Sequence, residues 1–419
     1  MTGAAGPDVV CVSHLWWDWV WQRPQQLLTR LARRQRVLWI EEPRLAIGPP
    51  GEAFDVTEEW PNLWVGRMAY RSDPVMFQQR LEAHAARFGP AGFDPSTEIR
   101  QASLLFQGAP LRDLEREVSA LLPGWRQRER LVLWLYTPAA IGFIDLLRPD
   151  LVVYDVMDDL GAFKFAQESL RAQQDALLAR ADLVFAGGPS IREGLLARRH
   201  DVHLFPSGVD RQHFVRALDP ALPLPPDVAG LPGPIVGFVG VIDERIDLAL
   251  LDAAARERPE WSWVLVGPVT KISPDALPRR PNLHYIGKRE YDDLPAYIKA
   301  FDVAMMPFAL NEATRSISPT KTLEYMAAHK PIVSTPIRDV VDLYGSVVHV
   351  AQAPAAFVAG VERLLGEGQA ARAERVDREL ALLAAAEWDA IADSMQALIH
   401  RHLAAASVSE RVEKGPPNL

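Results

Sequence analysis

Cysteine is all but missing. Cys11 is the only one in 419 residues, so neither a disulfide framework nor a cysteine-rich metal site can be built. There is no basic block or arginine-rich stripe, and the formal net charge is −9, which excludes a large footprint on nucleic acid. Any phosphate must therefore be held by a local site. No apolar run approaches the roughly 18 to 20 residues that a membrane span needs. The opening MTGAAGPDVV lacks a basic segment followed by an apolar one. These absences predict a soluble, cytoplasmic protein, at most peripheral on the inner face of the membrane. No Gly-x-Gly-x-x-Gly turn follows the first strand-like run, which leads instead into His14-Leu15-Trp16-Trp17, so a dinucleotide-dependent oxidoreductase is disfavoured.

What is present fits two domains. With 48% hydrophobic and 24% charged residues the chain can bury two cores of ordinary size and is too long for one. Short runs rich in Val, Leu and Trp alternate with stretches of helical period, the pattern of a parallel sheet wrapped by helices. Strands are expected near residues 9–13, 36–41, 104–107, 131–136, 151–155, 183–186 and 202–205, with helices near 24–33, 111–121 and 168–180. The proline-rich ALDPALPLPPDVAGLPGP forbids helix interior and central strand and marks a surface connection. A second series of strands follows near 235–240, 263–266, 283–286, 303–306, 332–334 and 347–350. The expected divisions are 1–215, 216–385, a helix over 386–403 packing back toward the first domain, and a disordered tail at 404–419.

The most informative stretch is SISPTKTLEYMAAHKPIVST, residues 316–335. Ser318 reads as an N-cap, Pro319 suits a first helical turn, and Leu323, Tyr325, Met326 and Ala327 supply apolar faces. A loop entering a helix collects unpaired amides and the positive end of the dipole, a place for a diphosphate. Lys321 adds a full charge there, and Glu324 stands where it can accept hydrogen bonds from ribose hydroxyls. A surface Lys–Glu pair accounts for the same spacing.

With those residues in view, TKTLEYMAAHKPIVST resembles the signature of retaining glycosyltransferases of the GT-B fold, family 4 type, in the branch that builds bacterial surface polysaccharide and glycolipid. The resemblance implies two Rossmann-like, doubly wound α/β domains facing a cleft. It implies that Glu324 is the second glutamate of the family motif and binds ribose. Ser316 stands where the first glutamate would be, so Asn311 or Glu312 are the candidates for its donor-sugar contact. FPSGVDRQHF, PIVGFVGVIDERID, WVLVGP and NLHYIGKREYDDLPAYIKAFDVAMMPF resemble further segments of the family, in the family's order. Gly240, Gly267, Ile286, Gly287, Ser318, Pro319 and Thr320 are thereby implied on the donor side. Arg245 is a candidate phosphate partner, or else a helix-surface arginine near Asp243, Glu244 and Asp247.

The acceptor side rests on the first domain. His14, Trp16, Trp17 and Asp18 fall in a loop at the carboxyl end of a strand, where open α/β sheets bind ligands. Tryptophan faces suit pyranose rings, although core packing explains the same residues. Asp155, Asp158 and Asp159 end another strand and are open to three roles: holding a metal, orienting an acceptor hydroxyl, or capping a helix. The absence of an Asp-x-Asp in this two-domain pattern weighs against metal. The resemblance implies a transferase taking sugar from a UDP- or GDP-sugar to a carbohydrate or lipid-linked acceptor, with retention, using Asp158, Lys321 and Arg245 and no cofactor or metal. A degenerate relative that only binds nucleotide or sugar is the alternative.

Overall fold

The computed structural model describes residues 6–88, 101–103, 108–125, 130–162 and 169–413. Ten strands form the first sheet: β1 Asp8–Ser13, β2 Val37–Glu41, β3 Arg44–Ile47, β4 Gly51–Trp60, β5 Leu63–Ser72, β6 Gln101–Ser103, β7 Leu131–Leu135, β8 Leu151–Val156, β9 Leu183–Ala186 and β10 Val202–Leu204. Six form the second: β11 Ile235–Val239, β12 Ser262–Val266, β13 Leu283–Gly287, β14 Val303–Met306, β15 Ile332–Ser334 and β16 Val348–Val350. The orders are β10-β9-β8-β7-β1-β2-β5-β3-β6, with β4 paired to β5, and β13-β12-β11-β14-β15-β16. The second sheet is parallel throughout. In the first, β4 and β6 run antiparallel to their neighbours. Central strands such as DVVCVS and LVLWL are buried at every position, as a sheet covered on both faces requires.

The hairpin β4–β5 and strands β3 and β6 have no counterpart in the expected strands. β4 reads GEAFDVTEEW and is mostly exposed, so its charges hide the period-2 pattern. Asn62 turns the hairpin at φ 63°, a left-handed conformation that Asn tolerates better than most residues. The expected strand at 104–107 lies outside the described residues.

The final helix, Trp388–Glu413, is longer than expected: residues 404–413 are helical where a disordered tail was anticipated. Its face of Trp388, Ile391, Met395 and Ile399 joins Val9, Leu27, Leu28 and Trp39 in one core, so the end of the chain packs on the first sheet. Ion pairs Arg33–Asp389 and Arg34–Asp393 flank that contact. No helix among the described residues is long and apolar enough to cross a membrane.

One buried ion pair fixes the carboxyl ends of the first sheet. Arg23 opens the helix Arg23–Leu31, where the dipole repels a cation. Its Nε and Nη2 donate to both oxygens of Asp155, at 2.9 to 3.2 Å, and Nη1 donates to the Phe205 carbonyl at 2.7 Å. The two side chains are 1% and 0% exposed. Removing one partner of such a pair strands the other charge and costs about 3–5 kcal/mol. Asp155→Ala is therefore expected to lower the urea midpoint sharply, whereas Asp145→Ala, which breaks an exposed pair with Arg180, should leave it nearly unchanged.

Candidate functional site

In each sheet the strand order reverses at the first strand of that sheet. β1 lies between β2 and β7, and β11 between β12 and β14. Open α/β sheets bind ligands in the crevice at such switch points, beyond the carboxyl ends of the strands. Here segments following β1, β8, β11, β12, β13 and β14 meet around a cavity of about 470 Å³ between the two sheets. Gly240 and Gly267 line it. A Cβ on Gly267 would stand 1.9 Å from the Gly240 carbonyl oxygen, so the two strand ends touch backbone to backbone and leave room above them.

The second domain supplies cations. Ile317, Ser318, Pro319, Thr320 and Lys321 line the cavity together with Arg245, Lys288 and Arg289. The helix is Lys321–Ala327, preceded by Thr320, which makes no side-chain cap. Ser318 is therefore not its N-cap, as the sequence had suggested. The helix is held from below instead: Val239 N–H donates to the Tyr325 hydroxyl at 2.8 Å, tying it to β11. Lys321 Nζ lies 3.0 Å from both oxygens of Glu324, which is buried behind it. Arg245 stands in the loop after β11 rather than on a helix, its Nε and Nη2 gripping Asp243 at 2.8 to 3.1 Å. Arg289 is held by Asp227 and the Tyr297 hydroxyl.

Several expected donor residues stand off the lining. Ile286, Gly287, Ser316 and Glu324 do not reach the cavity surface. Gly287 supports it, accepting the Gly267 amide at 2.9 Å. Asn311 and Glu312, suggested as replacements for the missing glutamate, are occupied elsewhere. Asn311 exchanges capping bonds with Thr314, Glu312 pairs with Arg171, and both border a separate shallow depression.

The first domain supplies aromatics and acids. Trp17, Asp18, Trp19, Trp21, Glu59 and Asp158 line the cavity. Trp17 is core as well, edge-on to Trp39 and Trp21 at 5.4 Å. Trp16 does not line it: its indole donates to the Glu42 carbonyl, and Arg44 covers its ring at 4.3 Å. Asp18 pairs with Arg44 at 3.1 Å. Partial burial raises the Asp18 pKa, but the bond and charge of Arg44, with Arg67, outweigh this and hold it below the usual range. Asp158 behaves oppositely: burial pushes its carboxyl up, against the pull of Arg245 and Lys271. Asp159 is exposed and off the lining; His14 is half-buried and also off it, and its pKa falls to about 4 through loss of water and the charge of Lys271. Among the described residues no cluster of three or more His, Cys, Asp or Glu is arranged to hold a metal ion.

Sequence reasoning missed Trp19, Trp21, Glu59 and the Arg23–Asp155 pair. Glu59 comes from the hairpin that was not expected, held by Arg67 and Thr57. Arg23 did carry a signal, because a cation at the first helical position of an apolar segment requires a carboxylate nearby.

Comparison with known proteins agrees with this geometry. Residues 233–367 match the family model described as glycosyl transferases group 1. A putative teichuronic acid biosynthesis glycosyltransferase, TuaH, of Bacillus subtilis (strain 168) is 26% identical over 266 residues, 59% of this chain and 66% of that protein. Among solved structures, sucrose-phosphate synthase from Thermosynechococcus elongatus superimposes with a TM-score of 0.64 at 18% identity, over 96% of this chain and 100% of that one. The Escherichia coli trehalose-6-phosphate protein bound with UDP-2-fluoro glucose does so with a TM-score of 0.63 at 14% identity, over 94% and 99%. The chain has the GT-B fold, and within its second half residues 233–367 are similar to the glycosyl transferases group 1 family.

Proposed function

We propose that the protein transfers a sugar from a nucleoside diphosphate sugar to a carbohydrate or lipid-linked acceptor, with retention at the anomeric carbon and without a metal ion. The observation that carries this reading is one cavity with fixed cations on one wall and tryptophans and carboxylates on the other. The diphosphate lies against Arg245, Lys321 and the backbone N–H groups of Ser318 and Thr320, which a helix start leaves without intrahelical acceptors. The bond from the anomeric carbon to the phosphate oxygen breaks and its electron pair passes to that oxygen. The acceptor hydroxyl oxygen bonds to the carbon from the same face, and its proton goes to the departing phosphate. Arg245, already held in place by Asp243, stabilises the growing negative charge without reorganising, the largest contribution in most enzymes.

Donor chemistry of this kind agrees with the matched domain, and a carbohydrate acceptor agrees with the name of the Bacillus relative. Glu324 is the ribose partner in this reading: with donor bound, Lys321 turns from Glu324 to phosphate and releases the carboxylate to the sugar hydroxyls. Asp158, the lining acid from β8, orients the acceptor or donor sugar.

Lys321→Ala removes a charge-assisted contact of about 1.5–3 kcal/mol and is expected to weaken UDP or GDP binding at least tenfold by calorimetry. Equal affinity in the variant would move the diphosphate site elsewhere. Asp158→Asn should keep melting temperature and nucleotide affinity while turnover falls by roughly tenfold, about 1.4 kcal/mol in the barrier. Wild-type turnover would return Asp158 to a structural role. Turnover is further expected to survive excess EDTA, and rescue of a lost rate by Mg²⁺ or Mn²⁺ would overturn the metal-free step.

A further inference from the structure

The two domains also meet at a seam on the far side of the cavity. The helix Pro189–Leu196 starts from Gly188, a position whose side chain ordinarily accepts an amide of the first turn. Glycine has nothing to offer there. The acceptor comes from the other domain: Ser190 N–H donates to Asp339 Oδ1 at 3.1 Å. Asp339 lies in the first turn of the helix Arg338–Tyr344 and is 1% exposed. Its carboxylate thus faces the positive ends of two helices, one from each domain, which favours its charge.

Gly188 is explained by the same contact. Its backbone is extended, at φ −165°, a conformation any residue adopts. A Cβ there would stand 2.5 Å from Asp339 Oδ2 and 2.7 Å from Ser318 Cβ. Every one of those obstructing atoms belongs to the second domain. Glycine is therefore required by closure of the seam and not by the fold of its own domain. Ser318 connects the seam to the chemistry, since it lines the cavity in the loop that ends at Lys321. Burial raises the Asp339 pKa, and the hydroxyls of Ser190 and Ser318 beside it pull the other way. Yet Asp339 Oδ2 and Ser190 Oγ complete no hydrogen bond of good geometry among the described residues. A buried carboxylate satisfied on one side only makes a contact strong enough to set a geometry and weak enough to release. The neighbouring pair Arg338–Glu193 is more than half exposed at both ends and adds little.

We infer that Asp339 is a positioning residue that caps the helix Pro189–Leu196 in trans, holds the cleft closed, and seats the loop of Ser318 and Lys321 against the first domain. The inference rests on the glycosyltransferase reading for its catalytic consequence, but the closure itself is measurable without turnover. Three variants separate the roles. Asp339→Ala removes the cap, Gly188→Ala wedges the seam from the opposite side with residue 339 itself unchanged, and Asp339→Asn keeps an oxygen that caps as well as Asp does.

Small-angle scattering of the full chain, saturated with UDP or GDP, should give a larger radius of gyration for Gly188→Ala and Asp339→Ala than for wild type. Asp339→Asn should stay as compact as wild type. Hydrolysis of UDP-glucose or GDP-mannose, whichever the wild type accepts, should fall roughly tenfold in kcat in the two open variants, the scale of one lost charge-assisted hydrogen bond, with KM changed far less. Circular dichroism checks that each variant folds; if Gly188→Ala does not, the two Asp339 variants carry the test. Open variants as compact and as active as wild type would overturn the inference, and so would Asp339→Asn behaving like Asp339→Ala. Failure of the wild type to bind any nucleotide would instead overturn the functional reading, and the same scattering comparison on the unliganded chains would then judge the seam by itself.

Discussion

The Arg23–Asp155 pair is the constraint on which the first half of the site depends. Arg23 stands where the segment after β1 enters its helix, and Asp155 stands one residue before the end of β8. A further bond, to the Phe205 carbonyl, reaches the chain just beyond β10. Three strand ends are locked together by a planar guanidinium that satisfies them in one orientation. The tryptophan segment 16–21 and Asp158 flank this lock, so cavity-lining groups from sequence positions far apart are held in one frame. Burial of both charges means the arrangement is kept whole or lost with a large penalty.

The second half of the site solves a different problem, which is to keep several cations on one wall of a closed cleft in a protein of net negative charge. Three of them are held by an acid of their own domain, Arg245 by Asp243, Lys321 by Glu324 and Arg289 by Asp227, and Lys288 donates to the Asp18 carbonyl across the cleft. These pairs fix the geometry of the positive groups before any ligand arrives. An anionic ligand then meets Arg245 and Arg289 already in place, while Lys321 turns to it from Glu324, and the low dielectric of the cleft strengthens the contact. Backbone-to-backbone packing of Gly240 on Gly267 clears the space they face.

Local pattern made much of this legible. Buried parallel strands such as Val303–Met306 and Leu183–Ala186 read correctly because continuous apolar runs between helical segments have few other fates. The segment around Lys321 and Glu324 showed both a helix start and a charge placed against the dipole, which points to an anion. The hairpin β4–β5 did not show itself, since an exposed strand carrying acids at four of its ten positions has no clear hydrophobic alternation to detect. Glu59 and its share of the cavity went with it.

The sequence by itself determined the two-domain α/β architecture, the segment that carries Lys321, and the aromatic and acidic loop after the first strand, because each depends on residues close together along the chain. Only the tertiary structure decided which of those residues face the cavity. It turned Trp16 under Arg44, set Glu324 behind Lys321, took Asn311 and Glu312 to another surface, and brought Asp339 from one domain to the helix start of the other. Two of these choices, Glu312 with Arg171 and Asp339 with Ser190, are made by partners more than a hundred residues apart, through burial and charge pairing that no local spacing encodes.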